Sequence, residues 1–120
     1  MSSNAVWPTS LSVTNEGRSL RINFSSSSTY IISAELLRVE SPSAEVKGHG
    51  PGQEQLVFGK QNVSIRAVEP VGNYAVRLKF SDGHDTGIFT WPYLQKLGET
   101  ASDIWADYLR KLDQSGHKRF

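Results

Sequence analysis

Cysteine is absent from this chain, so metal ligation and proton transfer near neutral pH fall to three histidines and twelve carboxylates. The densest grouping is "SDGHDTG", in which His84 stands between Asp82 and Asp85. A second histidine, His49, lies in "KGHGPG". A zinc site needs three or four ligands converging at roughly 2.0–2.3 Å, and two distant histidines with scattered carboxylates have no spacing that predicts one. His84 therefore reads first as the residue after a hairpin turn, solvated or bonded to Asp82 or a local carbonyl. His49 reads as an exposed residue of a glycine-rich turn.

Hydrolytic chemistry is less legible still. There is no Gly-x-Ser-x-Gly elbow and no thiol, and the serines fall in turns and helix caps. "GHGPG" lacks the Gly-Lys-Ser/Thr ending of a phosphate loop. Arg66, Arg77 and Lys79 could share an exposed strand face with Arg18 or Arg21 nearby, but no aromatic platform is interleaved with them, so nucleic acid is not an expected partner. Thirteen basic against twelve acidic side chains give a formal charge of +1, too little to steer the chain onto a polyanion. No apolar run is long enough to span a bilayer and no signal-like segment opens the chain. A cytoplasmic protein that does not engage membranes is expected.

The elements that must position these residues follow from periodicity and punctuation. At 120 residues, 38% of them hydrophobic, one domain with one small core is expected. Residues 1–10 read as a flexible lead-in, 11–113 as the domain and 114–120 as a flexible tail. Leu11 and Val13, a turn at Asn15-Glu16-Gly17, then Leu20, Ile22 and Phe24 predict a β-hairpin. The serines 25–28 form a loop leading to a strand at Tyr30 and Ile32. Ser33 caps a helix "AELLRVE", which Ser41-Pro42 ends. The glycine-rich stretch from Glu45 to Gln61 is the longest irregular segment.

"VSIRAVEPVG" and "YAVRLKF" alternate as paired strands, with Tyr74, Val76, Leu78 and Phe80 on one face. Asp82-Gly83 predicts a two-residue type I′ turn with positive φ at both positions, followed by a returning strand to about Phe89. Thr90 caps a short helix that ends near Gly98. Thr100, with Asp103 three residues on, caps a last helix whose apolar stripe includes Trp105, Tyr108 and Leu112. Trp91 and Trp105 are expected to anchor helices to the sheet. The fold class is α+β: one antiparallel sheet of about five or six strands with two or three short helices packed on one side.

In this order, "ELLRVESPSAEV", "VEPVGNYAVRLKF" and "SDGHDTGIFTWPYL" resemble the gamma-butyrobetaine hydroxylase-like N-terminal domain family over about Leu11 to Leu97. In the zinc-binding versions, a leucine-arginine pair precedes a cysteine-proline-cysteine cluster and a third cysteine, and a later hairpin carries a histidine. Leu37-Arg38 matches the pair, and Ser41, Ser43 and Val46 take the three cysteine positions. His84 matches the histidine. The resemblance thus implies zinc in cysteine-containing relatives but no cofactor here, since neutral serine hydroxyls are weak zinc ligands and valine has no donor.

The hydroxylases keep their iron and 2-oxoglutarate site on a separate barrel, of which this chain shows no triad. Stand-alone bacterial relatives are short, and others are fused to Mrp-type P-loop ATPases that handle Fe–S clusters. The expected function is a non-enzymatic binding or adaptor module with a protein partner, associated with Fe–S or oxygenase systems. A homodimer is compatible with the dimer-contact role of this domain in the hydroxylases. The expected surface comprises Arg38, Glu45, His49, Asp82, His84 and Asp85. The alternative is a protein that binds iron or zinc weakly through His84, Asp82, Asp85 or His49.

Overall fold

The computed structural model describes residues 7–42 and 56–119. Ser43, Glu45, Val46 and His49, expected in the degenerate zinc site or on the contact surface, lie outside them. Strand β1 (Pro8–Thr14) pairs antiparallel with β2 (Ser19–Phe24), and β2 with β3 (Thr29–Ser33). Strand β1 begins at Pro8 rather than at Leu11, inside the stretch expected as a lead-in. The connecting turn holds Asn15, Glu16 and Gly17 all at positive φ. Gly17 is required there twice over, because a Cβ would also meet the backbone oxygen of Ile65 at 3.0 Å.

Helix α1 (Ala34–Val39) follows without a break, with Ser33 Oγ accepting from the Leu36 N–H at 3.0 Å. Strand β4 (Ile65–Val71) then pairs with β5 (Ala75–Phe80), and β5 with the short β6 (Ile88–Thr90), all antiparallel. Among the described residues the six strands form two three-stranded sheets, ordered β1-β2-β3 and β4-β5-β6, rather than the single sheet expected. The strand count follows from the alternation of side chains, but the break between sheets does not. The two sheets are joined instead through the core they share, while the Ser81 N–H to Ser64 O bond at 2.8 Å extends the β4–β5 ladder by one pair.

Helix α2 spans Trp91 to Ser115 as two helical segments that meet at a kink at Thr100, whose φ −116° and ψ 16° are not helical, where the sequence places a boundary between two helices. Two interactions mark the junction. Gly98 is a close-approach residue, since a Cβ there would lie 2.4 Å from the Tyr30 ring. The Thr100 hydroxyl donates back to the Lys96 carbonyl at 2.7 Å, a bond that accompanies the bend. Gly116, in the left-handed region, ends the helix: its N–H bonds the Asp113 carbonyl and the His117 N–H reaches Leu112.

The core is one cluster drawn from both sheets and both helices, including Leu20, Ile22, Leu37, Leu78, Phe89 and Leu94, each fully buried. Tyr74, placed by alternation on this face, is instead exposed in the β4–β5 turn, and Ala75 takes the buried position. The stretch expected as a free tail starts inside α2. Beyond the cap, Lys118 O accepts from Gly59 N–H and Arg119 O from Gln61 N–H. Among the described residues no helix is long and apolar enough to cross a membrane.

Candidate functional site

The β5–β6 connection places His84. Its loop is not the type I′ turn expected: of Asp82 and Gly83 only Gly83 has positive φ, at 91°. The Gly83 N–H bonds the Phe80 carbonyl at 3.1 Å and the Phe80 N–H bonds the His84 carbonyl at 2.9 Å. That is the pattern of a three-residue loop closed by a glycine. Asp82 Oδ1 accepts from the His84 N–H at 3.1 Å, so the aspartate folds back over the turn and leaves the imidazole to point inward.

There it meets Ser41, the residue after α1 has ended at Glu40. Ser41 Oγ and His84 Nε2 lie 2.9 Å apart, with Ser41 wholly buried and His84 only 6% exposed. Both are polar and both are out of water, a placement that costs free energy unless the groups satisfy one another. Gly87 makes room for the pair, because a Cβ on it would stand 2.2 Å from Ser41 Oγ. Phe80 flanks the imidazole at 6.1 Å between ring centres.

A charged group sits above this pair. Asp82 Oδ2 receives Arg38 Nε at 2.8 Å and Lys60 Nζ at 2.6 Å. Burial by itself raises the Asp82 pKa, but hydrogen bonds from Lys60, the His84 N–H and Arg38 outweigh it and bring the group down to about 2. Arg38 Nη1 is buried and has no hydrogen-bond partner among the described residues. Asp85, by contrast, is exposed. Glu69 takes both Arg77 and Lys79 as ion partners, so one carboxylate offsets part of the charge of that strand face.

Of the residues expected on an exposed contact surface, Arg38 and His84 turn inward, with 12% of the Arg38 side chain accessible. Of the four positions that the family resemblance equates with zinc ligands, the described residues contain Ser41 and His84, and these two are brought together. Their donor set does not suit zinc. Two ligands of one tetrahedral ion would stand about 3.4 Å apart, whereas these are within a direct hydrogen bond of each other, and one is a neutral hydroxyl. Lys60 was not singled out from sequence, and neither was Gly87. No local signal marks a lysine that must reach an aspartate 22 positions later.

A second polar cluster also went unread. Glu35, in the first turn of α1, is buried and bonded by Arg119, with Nε to Oε2 at 3.0 Å and Nη2 to Oε1 at 2.8 Å. The Arg119 guanidinium carbon lies over the Trp105 ring, 5.0 Å from its centre.

The architecture and the Ser41–His84 cluster define a small α+β domain whose polar interior is held by hydrogen bonds between the end of α1 and the β5–β6 loop. The chain belongs to the gamma-butyrobetaine hydroxylase-like N-terminal family, whose model matches residues 11–95. Two solution NMR structures are similar to it. One is 43% identical with a TM-score of 0.82, the match covering 94% of this chain and 89% of the other. The second is 45% identical with a TM-score of 0.83, covering 98% and 87%. A crystal structure of a protein with unknown function from Acidithiobacillus ferrooxidans, of the DUF971 family, is 42% identical with a TM-score of 0.64, covering 76% of this chain and 91% of that one. A search of curated proteins returned no match.

Proposed function

We propose that this domain is a non-catalytic binding module, an adaptor for a protein partner in the Fe–S or oxygenase systems to which its family resemblance points. The observation that carries this reading is the buried hydrogen bond between Ser41 and His84. The serine and histidine that might otherwise form a nucleophile and its base are sealed in the interior and committed to each other, where no substrate carbonyl can approach. Asp82, the carboxylate that a weak metal site would need beside His84, is held by Arg38 and Lys60. Together these groups brace the 81–85 loop from beneath, so that exposed Asp85 is presented on a firm support.

Elemental analysis and chelator treatment test the metal-free part. The purified protein is expected to carry no stoichiometric zinc or iron and to keep its Tm in excess chelator. Stoichiometric metal that is lost in His84→Ala would overturn the reading. For the adaptor part, a photoreactive residue introduced at position 85 should cross-link one protein in the native host, and Asp85→Lys should weaken that protein's binding to the chain. A cross-linking pattern no different from that of a position on the opposite face would refute it.

A further inference from the structure

We propose that Glu35 and Trp105 form a recognition site for a guanidinium group, that the chain's own Arg119 occupies it as a displaceable stand-in, and that its intended ligand is an arginine side chain of a protein partner. The site lies on the opposite charged residue of α1 from the Ser41–His84 cluster and stands independently of the reading given for that cluster.

Three features make it a site rather than an incidental ion pair. The first is burial. The Glu35 side chain is only 7% exposed while the site is closed, and a carboxylate so placed is stabilised by a cation against it. The second is shape. The carboxylate is met by two N–H donors, Nε and Nη2, while the guanidinium carbon lies over the Trp105 ring, 5.0 Å from its centre. An ammonium group cannot make the forked bond, so the geometry selects arginine over lysine.

The third is unused space. A cleft of about 510 Å³ lies on one side, with Asn15, Arg18 and Gln61 in its wall. Another of about 400 Å³ lies on the other side, with Ile31, Ala101 and Trp105. Both are walled by Ser33, Glu35 and Arg119, so the Arg119 side chain stands between them. With it withdrawn, the two become one trough, polar at one end and apolar at the other, with the carboxylate at its middle. Such a trough fits an extended peptide that places an arginine on Glu35 and an apolar neighbour on the exposed Ile31, which is 67% accessible.

The occupant now in place is suited to exchange. The Arg119 side chain leaves 38% of its surface in solvent, and the Gln61 N–H to Arg119 O bond holds the backbone without holding the guanidinium. Because the bound arginine competes with any incoming one, the apparent affinity of the intact chain is lowered by the fraction of molecules in which Arg119 is seated.

The test is an NMR titration of the full chain with a blocked arginine, acetyl-arginine amide, read at the Trp105 indole N–H. In Arg119→Ala the signal should shift saturably, with an affinity about tenfold tighter than in the unaltered chain, corresponding to a tail seated in roughly nine molecules of ten. Acetyl-citrulline amide, of the same shape without the charge, should produce no saturable shift. Adding Glu35→Gln to Arg119→Ala should abolish the arginine response. Absence of saturable binding in Arg119→Ala, an equal response to citrulline, or survival of binding without the carboxylate would each overturn the proposal. Should Arg119→Ala fail to fold, the unaltered chain decides: added blocked arginine must move the Arg119 Nε–H resonance toward that of free arginine, and an unmoved resonance refutes displacement.

Discussion

Helix α1 has only six residues, yet its Glu35 and Arg38 each anchor a separate long-range polar cluster. They stand three positions apart, close enough on a helix to pair with each other. Instead Arg38 reaches Asp82, 44 positions away, and Glu35 reaches Arg119, 84 positions away. The two clusters differ in what lies beside them. The first is backed by the buried Ser41–His84 bond and a glycine that leaves no spare volume, so removing Ser41 or His84 leaves the other's polar group stranded in the core. The second is flanked by open clefts and closed by a partly solvated side chain, so removing its cation admits solvent or another cation. A sealed polar cluster sets the shape of a loop, whereas an open one can exchange its contents.

This contrast predicts a graded series of stability effects. The largest is expected from His84→Ala, which deletes a buried ring and leaves the Ser41 hydroxyl unsatisfied, at about 3–4 kcal/mol. Urea denaturation measures it, and a loss below about 1 kcal/mol would show that the pair is not buried as described. Gly87→Ala comes next at about 2–3 kcal/mol, because the new methyl overpacks against Ser41. An unchanged midpoint would mean that Ser41 can turn away at no cost.

Asp82→Asn should cost about 1–2 kcal/mol, reduced from a fully buried pair by the solvent that still reaches the carboxylate. The same group sets a pH response. Its folded pKa of about 2 lies below the ordinary value of 3.8, so its contribution is complete above roughly pH 4 and is lost as pH falls through 2. Acid titration of stability in Asp82→Asn should lack that component, and an identical acid limb in both proteins would rule out the depressed pKa.

Arg119→Ala is expected to cost the least, about 1 kcal/mol, since the cation is partly solvated and water can enter the clefts to reach Glu35. A loss as large as that of His84→Ala would erase the distinction between the two clusters and make the Arg119–Glu35 pair a structural necessity.

Much of the first cluster was legible in advance. The Ser33 cap and the stop at Ser41-Pro42 fix where α1 ends, and the glycine at position 83 turns the next hairpin. The resemblance then aligned Ser41 with His84 across 43 positions. What local reading could not supply was the partner of each charge. Lys60 follows the glycine-rich stretch with nothing to mark it, and Arg119 lies in what reads as a polar tail. Gly98 and Thr100 have the residue types of a stop and a start, and the helical geometry does break at Thr100. Local signals do not show that Gly98 also packs on Tyr30 or that the Thr100 hydroxyl bonds back to Lys96.

The sequence by itself determined the α+β class, the positions of the strands and caps, and the loss of a thiolate donor set, because these depend on residue type and on spacing within a few turns. Tertiary structure decided that the strands form two sheets, that Arg38 and His84 face inward, and that Glu35 meets the far end of the chain. Those outcomes depend on which distant group satisfies a buried charge. Desolvation makes that pairing obligatory, while chain connectivity leaves its identity open until the fold has closed.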